Sequence, residues 1–174
     1  LLAAVSAAPA AEVPGEYRHE DRALTLYMIP RTPQQMAAFY EARGFPVEAR
    51  ELIREACFIT TGIQNKRDGV LWLELERWRF VSERGAVQRI RRDFWRKQWA
   101  RLDLPQAKRS TFEWTLMPEI RDLQPGEPVG ANIVLEPTRE PFTVEARFKT
   151  ARDKAGPEIT VRLENVRCAQ DRQP

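Results

Sequence analysis

Few residues of this 174-residue chain are of types that make or break bonds. His19 is the single histidine, in the charged run Glu16-Tyr17-Arg18-His19-Glu20-Asp21-Arg22. A His–Asp–Ser relay around it would need a fixed pocket, and a segment this near the start is expected to leave it exposed. Cys57 and Cys168 are the two cysteines, and with one distant histidine they lack the close ligand spacing of structural zinc. The eight glycines are scattered at turns, and no glycine-rich run cradles a phosphate. Glu74 and Glu76 alternate with Leu73 and Leu75, which predicts both carboxylates on one face of a strand. Such a pair could hydrolyse a glycosidic bond if its surroundings kept one acid protonated. The same spacing also describes the wet face of a sheet, with arginines opposite. Catalysis is poorly provided for, and no cofactor or metal is expected.

The best candidate for recognition is basic and aromatic. From Arg77 to Arg109 eleven basic residues stand against three acidic ones, a net of +8 in a chain whose total is +3. Gly85 to Leu104 is predicted as one helix, ended by Pro105. On a helical wheel Val87, Ile90, Phe94, Trp95, Trp99 and Leu102 take about half the circumference. Arg89, Arg92, Arg96 and Lys97 take the rest, with Arg91 and Arg101 snorkelling over the apolar side. The candidate binding residues are therefore Arg92, Trp95, Arg96, Lys97 and Trp99. Arg and Lys beside Trp suit phosphates, acidic glycans or lipid head groups, and Arg with Trp is also the composition of protein-interface hot spots. Against this stands a bland alternative, in which Phe94, Trp95 and Trp99 plug one end of a sheet core and the arginines are solvated.

The elements that must position this helix are mostly strands. Arg22 to Ile29 alternates as a strand, stopped by Pro30 and Pro33. Thr32-Pro33 has the form of a helix start, and the helix ends at Gly44. A second helix from about Val47 to Ala56 completes a hairpin about Gly44-Phe45-Pro46. Cys57 to Phe80 is predicted as two strands about the polar loop Asn65-Lys66-Arg67-Asp68-Gly69, whose residues tolerate the positive φ of a reversal. After Glu76 the apolar phase slips by one, to Trp78 and Phe80, the mark of a β-bulge or of a strand crossing between sheets. Thr111 to Leu116 is predicted as a strand, followed by a turn at Leu123–Pro128. Further strands are expected from Val129, Phe142 and Ile159. With Pro/Gly turns and no βαβ rhythm, the pattern argues for a mainly β chain: an antiparallel sandwich with a helical hairpin and one amphipathic helix. A single domain over 16–170 is expected, with helical insertions at about 33–56 and 86–104.

The start, Leu1 to Gly15, looks like the end of a signal peptide, with Ala8-Pro9-Ala10 in the small-x-small pattern that a leader peptidase accepts. A disordered Ala/Pro-rich linker is the other reading. No later run reaches the roughly 18 apolar residues of a membrane span. In an oxidising compartment Cys57 and Cys168 could pair and tie the chain's end to its core, or they could remain two buried thiols.

Two phrases carry a resemblance. The first is a strand ending in Asn65-Lys66, a hydrophobic strand, then Trp78-Arg79-Phe80-Val81 with Gly85. The second is Leu123-Gln124-Pro125-Gly126-Glu127 leading to Ile133-Val134-Leu135-Glu136-Pro137. Together, over about 57–85 and 111–165, they resemble the immunoglobulin-like accessory domains of secreted and lipid-anchored bacterial envelope proteins. Leu135 stands where an aromatic residue is more typical, and both helical additions depart from the pattern. The resemblance implies extracytoplasmic binding or scaffolding without catalytic residues. The expectation is a non-catalytic periplasmic or secreted accessory protein. It would contact an envelope protein or an anionic envelope surface, and no nucleic acid. The alternatives are an inhibitor or immunity protein that blocks a toxin or hydrolase, and a carboxylate-dependent hydrolase.

Overall fold

The computed structural model describes residues 15–171. The expected leader lies outside them, apart from Gly15. The chain is mainly β, with two antiparallel sheets and four helices among the described residues.

One sheet holds β1 (Tyr17–Glu20), β2 (Leu24–Arg31), β3 (Cys57–Asn65) and β8 (Pro128–Leu135), in that order. In the other, β9 (Phe142–Thr150) is flanked by β10 (Ile159–Val166) on one side. On its other side lie β4 (Leu71–Glu74), bonded onward to β7 (Ile120–Leu123), and β5 (Arg79–Ser82), bonded onward to the short β6 (Gly85–Ala86). Alternation decides what lies between the sheets. Leu24, Leu26, Met28, Ile59 and Ile63 from the first meet Leu71, Leu73, Val144, Phe148 and Val161 from the second in one buried cluster. Cys57 and Cys168 are disulfide-bonded with Cα atoms 5.6 Å apart, so the bond joins the start of β3 to the segment after β10, one sheet to the other.

Pro30 does not stop β2. It pairs opposite Ile59, beyond the last residue that β1 reaches (Met28), so its missing N–H breaks no ladder. The Cys57–Phe80 stretch is not a hairpin either. β3 and β4 belong to different sheets, and the loop between them crosses over. Neither Asn65, Asp68 nor Gly69 takes a positive φ. Asn65, fully buried, instead holds the corner with its side chain: Nδ2 donates to Gly69 O at 2.8 Å and Leu123 O at 2.9 Å, and Oδ1 accepts from Arg67 N at 3.0 Å. The phase slip is a 3-10 turn at Leu75–Arg77. It stands out of the sheet while β4 and β5 both pair with β9.

Four helices form a third layer on the outer face of the first sheet. α1 (Pro33–Glu41) starts as expected, with Thr32 and Gln35 in a reciprocal capping box and Pro33 in the first turn. α2 is Val47–Arg54. The predicted helix from Gly85 is shorter: α3 runs Arg92–Arg101. Residues 87–91 are extended along β8, where Ile90 N donates to Val134 O and Glu136 N to Gln88 O. An edge strand needs partners for its backbone, and that requirement overrides helical periodicity here. The predicted strand at Thr111–Leu116 is instead α4 (Gln106–Trp114), begun by Pro105 and held by Phe112, which packs 4.9 Å from the rings of both Trp95 and Trp99. A six-residue alternation is too short to tell strand from helix, and burial of Phe112 decides it.

Candidate functional site

Helix α3 positions its aromatic residues inward. Trp95 and Trp99 are 1% and 0% exposed, stacked at 5.3 Å within a second buried cluster that includes Tyr40, Phe45, Phe58 and Phe112. Trp99 and Phe112 meet edge to face, the arrangement that aromatic quadrupoles favour. Burial pushes the Tyr40 hydroxyl up to about 12, and it is hydrogen-bonded to Thr115 at 2.6 Å. These indoles fill the space between helices and sheet.

The arginines of the same helix are largely taken up. Arg92 reaches across to the end of α4, donating to Glu113 O, Leu116 O and Met117 O at 2.9, 3.0 and 3.2 Å. It satisfies carbonyls that a helix C-terminus leaves bare. Arg96 forms a two-pronged bond with Glu113 and also reaches Asp93. The hydrogen bond from Arg96 holds the Glu113 carboxyl below its ordinary range, with Arg92 adding to the effect. Lys97 is exposed and has no partner among the described residues. Of the five candidate residues, the structure thus brings Trp95 and Trp99 into the core, gives Arg92 and Arg96 to α4, and leaves Lys97 at the surface.

The paired carboxylates do not share a strand face. Glu74 ends β4, its side chain only 16% exposed and ion-paired with Lys154, whereas Glu76 lies in the 3-10 turn and meets Arg91 at 3.4 Å. His19 sits in β1, not in a loose terminus. Its Nε2 is 3.2 Å from Asp21, without hydrogen-bond alignment.

What the sequence reading missed is a cleft of about 470 Å³ where α1 overhangs the outer face of the first sheet. Arg31, Thr60 and Asn132 supply its sheet side, and Gln35, Met36 and Phe39 its helix side. Arg31 ends β2 and stands two residues before the first residue of α1, so the chain turns through the cleft's corner. A polar relay crosses three strands: Arg31 Nε donates to Thr60 Oγ1 at 2.9 Å, and Thr60 Oγ1 donates to Asn132 Oδ1 at 2.9 Å. Gly130, Ala131 and Thr115 complete the wall. Beside the cleft the sheet is kept thin by Gly62. The ring of Tyr27 lies so close over it that an added Cβ would meet ring atoms at 2.1 Å, and its hydroxyl reaches toward Gly130. Next to Thr115, Trp114 stands 88% exposed, the most exposed large apolar residue described. A glycine inside a strand is the one sequence signal that marks such a close approach. The remaining parts come from segments up to about a hundred residues apart and share no motif.

A cleft of this size, with an apolar wall and a few convergent polar groups, has the dimensions of a small-molecule or peptide-end site. No acid lines it. Among the described residues no cluster of His, Cys, Asp or Glu is grouped to hold a metal, and no helix is long and apolar enough to cross a membrane. Compared with known proteins, the chain matches no protein-family model, no curated sequence and no solved structure.

Proposed function

We propose that this chain is a non-catalytic binding protein of the bacterial cell envelope, exported to the periplasm or beyond. In this reading the two-sheet core is an immunoglobulin-like accessory domain, and the helical layer is the part that recognises a partner. The Cys57–Cys168 disulfide supports export, because such bonds persist in oxidising compartments. The observation that carries the binding role is the cleft under α1, whose wall offers Arg31, Gln35 and Asn132 and no carboxylate, beside the exposed Trp114. Covering an exposed indole on association is favourable, and Trp is among the residue types enriched at interface hot spots. The same exposed Trp114 favours, as a second reading, an inhibitor that inserts this side chain into a target enzyme.

Cell fractionation with site-specific photo-cross-linking in the intact envelope tests the reading. A cross-linker placed at Gln35 or Trp114 should capture one discrete partner, and one at Arg162, on the outer face of the other sheet, should not. Recovery of the chain in the cytosol, or equal labelling from all three positions, would refute it.

A further inference from the structure

Resting on the reading of the cleft as the recognition site, we infer that it takes a carboxylate carried on a short apolar arm. The inference follows from the inventory of donors. Arg31 is anchored through Nε to Thr60, which leaves its two terminal nitrogens without a partner among the described residues. Thr60 has one proton, and it goes to Asn132 Oδ1, so the Asn132 Nδ2 group is left as a donor. Gln35 accepts from Thr32 N through Oε1, as part of the capping box, which likewise leaves its Nε2 as a donor. Gln35 and Asn132, their acceptor oxygens already engaged, and Arg31, held by its Nε donor, therefore present donor ends, in a cleft lined by no acid. A planar guanidinium held by its Nε offers the two-pronged geometry that matches a carboxylate.

The charge of the surroundings points the same way. Arg43 lies over the outer wall, its guanidinium 3.5 Å from the centre of the Phe39 ring and bonded to Phe39 O, with no acidic partner among the described residues. The nearest helix N-terminus is already satisfied. Gln34 N donates to the carboxylate of Asp171 at 2.8 Å, so the amides that would favour a phosphate there are occupied. Met36 and the half-buried Phe39 supply the apolar side that would hold the arm.

A carboxylate of this kind is either a small free acid or the C-terminus of a peptide, and one experiment separates them. The folded, oxidised chain is titrated with hydrocinnamate, acetyl-leucyl-phenylalanine, the C-terminal amide of that peptide, and inorganic phosphate. The nitrogen-attached protons of the Arg31 Nε and of the Gln35 and Asn132 side-chain amides are followed by NMR. Saturable shifts at all three from an acid, and none from the amide, are expected. A tighter response to the peptide identifies a chain end, and a tighter response to hydrocinnamate a free acid. Arg31→Gln should weaken binding roughly ten- to a hundredfold, and Arg31→Lys by less, since the charge stays and the fork is lost. Equal shifts from acid and amide, or a stronger response to phosphate, would overturn the carboxylate while leaving the cleft as a binding site. Silence from every probe, with the cross-links from Gln35 and Trp114 retained, would overturn this inference alone. Loss of those cross-links would remove the reading beneath it as well.

Discussion

Cutting the Cys57–Cys168 bond should cost this protein a large share of its stability, and the structure says how much and why. The bond closes a loop with a sequence separation of 111 and ties the start of β3 to the segment after β10. Restriction of the denatured chain by so long a loop is worth about 5 kcal/mol at room temperature. For a chain of this length that converts to a fall in melting temperature of roughly 10–20 °C. The perturbation is the double substitution Cys57→Ala with Cys168→Ala, chosen over serine because the two positions are 4% and 9% exposed and a hydroxyl there would lack a partner. Urea unfolding is followed by the fluorescence of the five tryptophans, with the reduced wild type as a second comparison. If the mechanism is release of the unfolded chain, the midpoint must fall while the slope m rises, because the freed denatured state exposes more surface. A midpoint fall with unchanged m would mean that native packing, not chain entropy, was lost. A shift in melting temperature under about 3 °C would refute the role of this bond as the tie between the sheets.

Arg92→Glu should destabilise by about 2 kcal/mol or more, since three carbonyls at the end of α4 lose their donor and gain a repelling acid, whereas Lys97→Glu should stay within about 0.5 kcal/mol. Chemical denaturation of the two single variants checks this. Gly62→Ala should cost about 1–3 kcal/mol, because the new methyl meets the Tyr27 ring at 2.1 Å, and much of that should return in the Gly62→Ala, Tyr27→Ala pair of a double-mutant cycle. The Glu113 carboxyl is held below its ordinary value of 4.5, first by the hydrogen bond from Arg96. Its contribution is therefore full above that value and is lost as pH falls through the lowered folded value. With the Arg96 side chain 56% exposed the effect is screened to under about 1 kcal/mol, and Glu113→Gln should flatten the melting-temperature profile only on the acid side.

Much of the fold was legible because it is written in local periods. The strict alternation of Phe142, Val144, Ala146 and Phe148 gives β9, and Thr32, Pro33 and Gln35 give the start of α1, since a strand's two faces and a helix's bare amides are short-range facts. The helical period at 87–91 misled, because the apolar residues Val87 and Ile90 do turn inward, but from an extended segment that completes the edge of β8. Trp95 and Trp99 were legible as one face of a helix. Whether that face meets a partner or the protein's own sheet depends on Phe58 and Phe112, which local pattern cannot place.

The sequence by itself determined that the chain is mainly β with helical additions, that α1 and α2 form a hairpin, and that two cysteines stand where a bond between chain end and core is feasible. Tertiary structure alone decided that β3 and β4 part into different sheets, that the disulfide joins those sheets, and that the aromatic helix faces inward. It also decided the cleft. Arg31, Thr60 and Asn132 become neighbours only because β2, β3 and β8 pair in one register, Arg31 beside Phe58 and Thr60 beside Asn132. Registers are settled by which faces can be buried together, a property of the whole sheet and not of any one strand.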